Sequence, residues 1–182
     1  MKIALLLFVV TMITPCNYKK DIPPKERILQ KYSLLKKFNF DSVEGWIIKA
    51  RNPEFLEPER AFYIRHDSIR GTLFIKKNKC DERFVDFRWN CKAINDFCDY
   101  YSISSDTVQD YANKKFTFIF DLDIKWLINI NSNIIFRIDS KSNYIFYFND
   151  TTKISGFEKT YGKLTKIEKN WYYKINERWK FK

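Results

Sequence analysis

The sequence predicts an α+β fold: one N-terminal helix packed on an antiparallel β meander, long enough to curl into a barrel or half-barrel. Three observations lead there. Apolar residues recur at helical spacing over the start of the domain. From Trp46 onward the pattern changes to short runs of aromatic and β-branched residues, each bounded by Pro, Gly, Asp or Asn. Two pairs of such runs near the C-terminus are joined by segments of hairpin length.

The helix is expected from Pro24, a residue suited to a first helical turn, to about Phe38. Ile28, Leu29, Tyr32, Leu35 and Phe38 form its apolar stripe, with Lys25, Lys31, Lys36 and Lys37 largely elsewhere. Glu26 and Gln30 also lie on the polar side, so packing on a sheet is preferred over a membrane-surface helix. Strands are expected at 46–48, 61–64, 72–75 and 84–89. In the last of these, Val85, Phe87 and Trp89 share one face and Asp86 and Arg88 the other, the signature of a half-buried antiparallel strand.

Residues 92–113 are more polar and more helical, with Ser104, Ser105 or Asp106 available to cap a short helix through Tyr111. Phe116-Thr117-Phe118-Ile119-Phe120 has strand composition, and 122–130 fits either strand or helix. A hairpin joins 133–139 to 144–148 across Ser140-Lys141-Ser142-Asn143. A second joins 163–168 to 171–179 across Lys169-Asn170. No repeat or low-complexity tract interrupts the series, and one domain is expected over 25–182.

The chain carries a formal net charge of +11, which favours anionic partners: lipid head groups, acidic glycans or an acidic protein. The cations are scattered among Lys19-Lys20, Lys36-Lys37, Lys76-Lys77, Lys79, Lys114-Lys115, Lys180 and Lys182. They make no basic helical stripe and no nucleic-acid motif, so no nucleic acid is expected as a partner. An aromatic content of 18% with only four Gly rules out a disordered tail.

The chemistry-bearing residues are few. Cys80, Cys91 and Cys98 are candidates for one disulfide whose pairing the spacing leaves open. On a continuous helix, Cys91 and Cys98 would stand roughly 10 Å apart, beyond the ~4.4–6.8 Å Cα separation a bridge tolerates. Pairs involving Cys80 are therefore favoured. The C-x₂₋₄-C spacing of a zinc site is absent, and neither a metal site nor a cofactor is expected. His66, the one histidine, has no G-x-S-x-G or H-E-x-x-H context. Asp121 and Asp123 would point to one side of an extended segment, and Asp81-Glu82 or Asp96 with Asp99 could also sit together. Among so many cations, pairing with Lys or Arg is the expected role of these carboxylates rather than hydrolysis or Ca²⁺ binding. The glycines Gly45, Gly71, Gly156 and Gly162 are isolated and form no phosphate loop. Trp171-Tyr172-Tyr173 places aromatic rings on both faces of a strand, and Trp46, Trp89, Trp126 and Trp179 are spread along the chain; such rings suit either core packing or a glycan or protein partner.

The first residues set the compartment. Lys2 supplies a positive start, Ile3 to Thr14 is an uncharged apolar run, and Pro15-Cys16 breaks it. That run is shorter than the ~20 apolar residues a membrane-spanning helix needs and has the charge and length of a secretory signal. A lone Cys at its end, followed by the polar Asn17-Tyr18-Lys19-Lys20-Asp21, resembles the signal peptide of bacterial lipoproteins. The resemblance covers residues 1–16, with Pro15 where the family carries Gly, Ala or Ser. It implies that 1–15 is removed, that Cys16 becomes the first mature residue and carries lipid, and that 16–24 is a tether. The alternatives are cleavage after Cys16 with release as a secreted protein, and an uncleaved apolar N-terminus.

Together these readings lead to an expected exported lipoprotein of the cell envelope, membrane-anchored through Cys16 and binding an anionic envelope component or an acidic protein without catalysis. The alternatives are a small envelope hydrolase using His66 or Asp121 and Asp123, and an inhibitor protein steered to an acidic target.

Overall fold

The computed structural model describes residues 22–51, 61–78, 80, 82–87 and 91–176. Nine antiparallel strands form one sheet: β1 (Trp46–Ala50), β2 (Ala61–His66), β3 (Ile69–Lys77), β4 (Arg83–Asp86), β5 (Trp126–Ile130), β6 (Asn133–Arg137), β7 (Tyr144–Tyr147), β8 (Thr165–Glu168) and β9 (Trp171–Lys174). Their spatial order is β4-β3-β2-β1-β5-β6-β7-β9-β8. The α+β class is therefore as the sequence predicts, with both C-terminal hairpins in place. The sheet stays open, with β4 and β8 at its edges, and does not close into a barrel. It is also more than a simple meander. The chain leaves the sheet after β4, builds helices, and returns as β5 beside β1, where Ile47, Ile48 and Lys49 face Ile128, Leu127 and Trp126.

Helix α1 (Pro24–Leu35) starts with proline in its first turn and buries Ile28, Tyr32 and Leu35. Phe38 lies beyond its end but still packs on the core. Leu29 turns outward and is exposed, because the buried stripe follows i, i+4, i+7 and Leu29 falls beside it. The excursion between β4 and β5 holds α2 (Cys91–Tyr101), α3 (Val108–Phe116) and α4 (Ile119–Leu122). Thr107, not Ser104, Ser105 or Asp106, precedes the first residue of α3, and the helix continues past Tyr111.

The expectation of a strand at 116–120 is corrected. Val108, Ala112, Phe116, Ile119 and Leu122 are all buried. Their spacing of three and four residues is helical, and that periodicity outweighs the strand propensity of Phe, Thr and Ile. The segment ends at Asp123, whose φ of 46° reverses the chain into β5. Strand β4 is likewise shorter than 84–89; its last position is Asp86, and 88–90 lie outside the described residues.

Alternation along the strands gives the sheet two different faces. Trp46, Ile48, Ile64, Leu73, Ile75, Leu127, Phe136 and Ile145 point toward α1–α4 and make the larger core. On the other face, Ile135, Phe146, Phe148 and Leu164 form a smaller core under α5 (Ile154–Tyr161), which contributes Ile154, Phe157 and Tyr161. Asp86, expected on a solvated face, is only 3% exposed and is ion-paired to Lys76. Burial of that carboxylate is compatible with the fold because the cation beside it neutralises it.

Candidate functional site

The residues singled out by sequence do not converge. Cys16 lies outside the described residues, as does the side chain of Cys91. Cys80 is exposed and Cys98 half-buried, and both carry free thiols. Burial, with Asp99 nearby, pushes the Cys98 thiol above its usual pKa and leaves it less nucleophilic. His66 is set among rings, 5.1 Å from Trp46 and 4.6 Å from Tyr100 between centroids. Its Nδ1 accepts a hydrogen bond from the Ser68 amide at 3.1 Å. Burial holds its pKa below the ordinary value, with Asp67 opposing and Lys115 reinforcing the shift.

The carboxylates are occupied by cations. Asp121 pairs with Arg83 and Asp123 with Lys31, so the two do not act on one centre. Asp96 receives three hydrogen bonds from Arg70, one of them from its backbone amide, and these hold its pKa at about 2. Glu82 accepts from Asn78 at 2.6 Å, and Asp81 lies outside the described residues. Among the described residues, no group of three or more His, Cys, Asp or Glu side chains is placed to hold a metal ion, and no helix is long and apolar enough to cross a membrane.

The site that does assemble lies on the sheet face opposite α1–α4. Across five adjacent strands the register aligns Lys49 with Trp126, Trp126 with Arg137, Arg137 with Tyr144, and Tyr144 with Lys174. With strands ~4.8 Å apart, Lys49 and Arg137 stand roughly 10 Å from each other at the backbone, one on each side of Trp126. That is about one Debye length, so the two charges repel weakly and leave room for a single anion between them. Tyr144 then meets Tyr161 of α5 edge-on, at 5.2 Å and 64°.

The row forms the floor of a groove in two compartments that share Tyr144. One has a volume of about 290 Å³ and is lined by Lys49, Ala50, Lys125, Trp126 and Arg137 in addition to Tyr144. The other, of about 510 Å³, adds Lys174, Tyr161, Thr160 and Ser142. Among the described residues, no carboxylate lines either one.

Each key side chain is held by local structure. Arg137 donates from Nε to the Asp139 carbonyl at 3.0 Å and from Nη2 to the Ser140 carbonyl at 2.8 Å. These bonds fix the guanidinium without cancelling its charge. The Lys49 Nζ sits 5.5 Å over the Trp126 ring, and no carboxylate pairs with it among the described residues. The Trp126 Nε1–H is buried and has no acceptor among the described residues, a condition that costs about 1–3 kcal/mol. Burial, with Tyr144 beside it, raises the Tyr161 pKa, so its hydroxyl stays a donor at neutral pH. The groove offers positive charge, hydrogen-bond donors and aromatic faces, and it lacks a nucleophile–base pair. That arrangement is complementary to an anion.

Of these residues the sequence draws notice only to Trp126, as one of the scattered tryptophans. The row runs from β1 to β9, and its register depends on strand neighbours that local pattern does not give. No protein-family model matches the chain, and neither a curated protein nor a solved structure is significantly similar to it.

Proposed function

We propose that this protein is an exported lipoprotein, anchored through Cys16, whose single domain binds an anionic polymer of the cell envelope without transforming it. The observation that carries the binding half is the row Lys49–Trp126–Arg137–Tyr144–Lys174, which lies in a groove with no acidic lining among the described residues. The net charge of +11 gives such a ligand a favourable long-range approach. Aromatic rings between the cations suit a chain of rings bearing carboxylate or phosphate groups, in other words an acidic glycan. The anchor rests on residues 1–16, in which an uncharged run ends at Cys16 before a polar segment.

Two measurements test the two halves separately. Titration of the full chain with polygalacturonate, followed by tryptophan fluorescence, is expected to saturate and to weaken steeply as salt rises from about 50 to 500 mM. A Lys49→Gln/Arg137→Gln double variant should bind at least about tenfold more weakly, with neutral dextran inert toward both proteins. Equal affinity of variant and parent would remove the groove from the reading. The intact mass of protein recovered from bacterial membranes tests the anchor: a chain beginning at Cys16 with diacylglyceryl mass supports it, and an unlipidated chain beginning at Asn17 sinks it.

A further inference from the structure

The other face of the same four strands holds a second cleft of different character. Trp126 and Asn129 on β5, Ile134 and Arg137 on β6, Tyr144 and Tyr147 on β7, and Trp171 and Lys174 on β9 are pairs three residues apart, so the members of each pair project from opposite faces. The register that builds the cationic row therefore also builds a row Asn129–Ile134–Tyr147–Trp171 behind it. Facing this row is the segment that follows α1, and between them lies a cleft of about 480 Å³, within the ~300–1,000 Å³ range of small-molecule sites.

The strongest pointer to a ligand is Asn129. It is 1% exposed and lines the cleft amid apolar neighbours. Its Nδ2 donates to the Phe40 carbonyl at 2.7 Å, which ties the floor of the cleft to its wall and fixes the amide orientation, since a flipped amide would set oxygen against oxygen. The Asn129 backbone carbonyl accepts from the Gly45 amide at 2.7 Å. Its Oδ1, by contrast, has no donor among the described residues. A leucine would fill such a position without leaving a buried acceptor unpaired, so the amide is costly unless something supplies a donor.

The remaining lining indicates what that donor belongs to. Asn39, Asn149 and Ser132 offer uncharged polar groups, and Lys36 and Asp41 contribute one charge of each sign to the lining. Tyr147 and Trp171, 5.1 Å apart at 55°, supply an aromatic wall. The cationic groove has no acid among the described residues, whereas this cleft has one charge of each sign, several amides and apolar ring faces. We infer that the Asn129 cleft is a binding site for an uncharged saccharide: Asn129 Oδ1, closed to solvent in the free protein, turns toward the cleft to accept from a hydroxyl, the amides exchange hydrogen bonds with the other hydroxyls, and a sugar C–H face lies on Trp171 and Tyr147. This site stands apart from the anion groove and does not depend on it.

The test uses the full chain with cellobiose and N,N′-diacetylchitobiose as probes, followed by amide NMR shifts. The expected result is saturable binding of at least one probe that is unchanged between about 50 and 500 mM salt, as an uncharged ligand requires. Shifts should concentrate at Asn129, Ser132, Tyr147 and Trp171. Asn129→Leu should weaken binding at least about tenfold, with any change in melting temperature reporting the loss of the Nδ2 bond to the Phe40 carbonyl. Because that change is buried, the exposed Asn149→Ala is the second probe, with a smaller loss of affinity expected and folding intact. Polygalacturonate binding should be untouched by either change, which separates this site from the groove. No shifts with either sugar, or shifts confined to the Lys49–Arg137 face, would overturn the inference. So would unchanged sugar affinity in both variants.

Discussion

Phe136 and Arg137 are neighbours in the chain and belong to opposite sides of the molecule. Phe136 is fully buried beneath the helices, with Phe40 5.0 Å away edge-on and Trp171 stacked at 6.1 Å. Arg137 sits on the other side in the cationic groove, bonded to two turn carbonyls. The same alternation runs through the whole sheet. One face gathers a continuous core from four helices, and the other gathers a small core under α5 and leaves its cations in a groove. Apolar burial is concentrated on the first face and the row of cations on the second. The Asn129 cleft is where the stable face gives up packing for a polar group.

That contrast predicts a large asymmetry in stability. Phe136→Ala removes a fully buried ring and should cost about 3–5 kcal/mol, read as a lower urea midpoint. Lys49→Ala, on the opposite face, should lie within about 0.5 kcal/mol of the parent. If the two changes cost the same, the faces are not divided as described.

A smaller effect sharpens the contrast through two glycines. Gly45 lies on the helix side with φ of 76°, and an added Cβ would fall 2.3 Å from His66 Nε2. Gly45→Ala should therefore cost about 1–3 kcal/mol from backbone strain alone, with displacement of His66 adding to it. Gly156 lies in α5 on the other side, where an added methyl group would meet nothing within 4 Å. Gly156→Ala there should be neutral or stabilise by up to about 1 kcal/mol through helix propensity. Thermal melting of both variants checks the sign of each change.

The division between faces is only partly legible in the sequence. Local pattern reveals α1, because Ile28, Tyr32 and Leu35 keep helical spacing, and it reveals the β6–β7 and β8–β9 hairpins, because their partners are a few residues apart. It misplaces 116–120, where strand-forming residue types sit on a helical period with Ala112 and Leu122. The groove cannot be read at all. Lys49 meets Trp126 only because the chain makes a long helical excursion and returns beside β1, and Tyr144 meets Lys174 only because β9 inserts ahead of β8. Charge pairing is foreseeable for Asp121 and Asp123 as a class, but which cation each takes, Arg83 and Lys31, is set by tertiary contact.

The smallest expected effect concerns the single histidine, and it contrasts the helix-side face with the cationic one. Desolvation beside Trp46 and Tyr100 disfavours the charged imidazole, and Lys115 adds to this while Asp67 opposes it. The folded-state pKa of His66 is therefore below that of the unfolded chain, about 6.5. Between these two values the unfolded chain binds the extra proton, so stability rises with pH. The contribution is fully present above the unfolded pKa and is lost as pH falls through the folded one. An NMR titration of the His66 ring should give a midpoint below about 6.5, and stability should decline modestly on acidification from about pH 7. His66→Gln should flatten that decline in the range above the carboxylate pKa values. Lys49→Gln should leave it intact, because Lys49 lies on the opposite face of the sheet from His66. A His66 midpoint above about 6.5 would mean that the ring is solvated or held by Asp67, and that the helix-side face is wetter than its packing indicates.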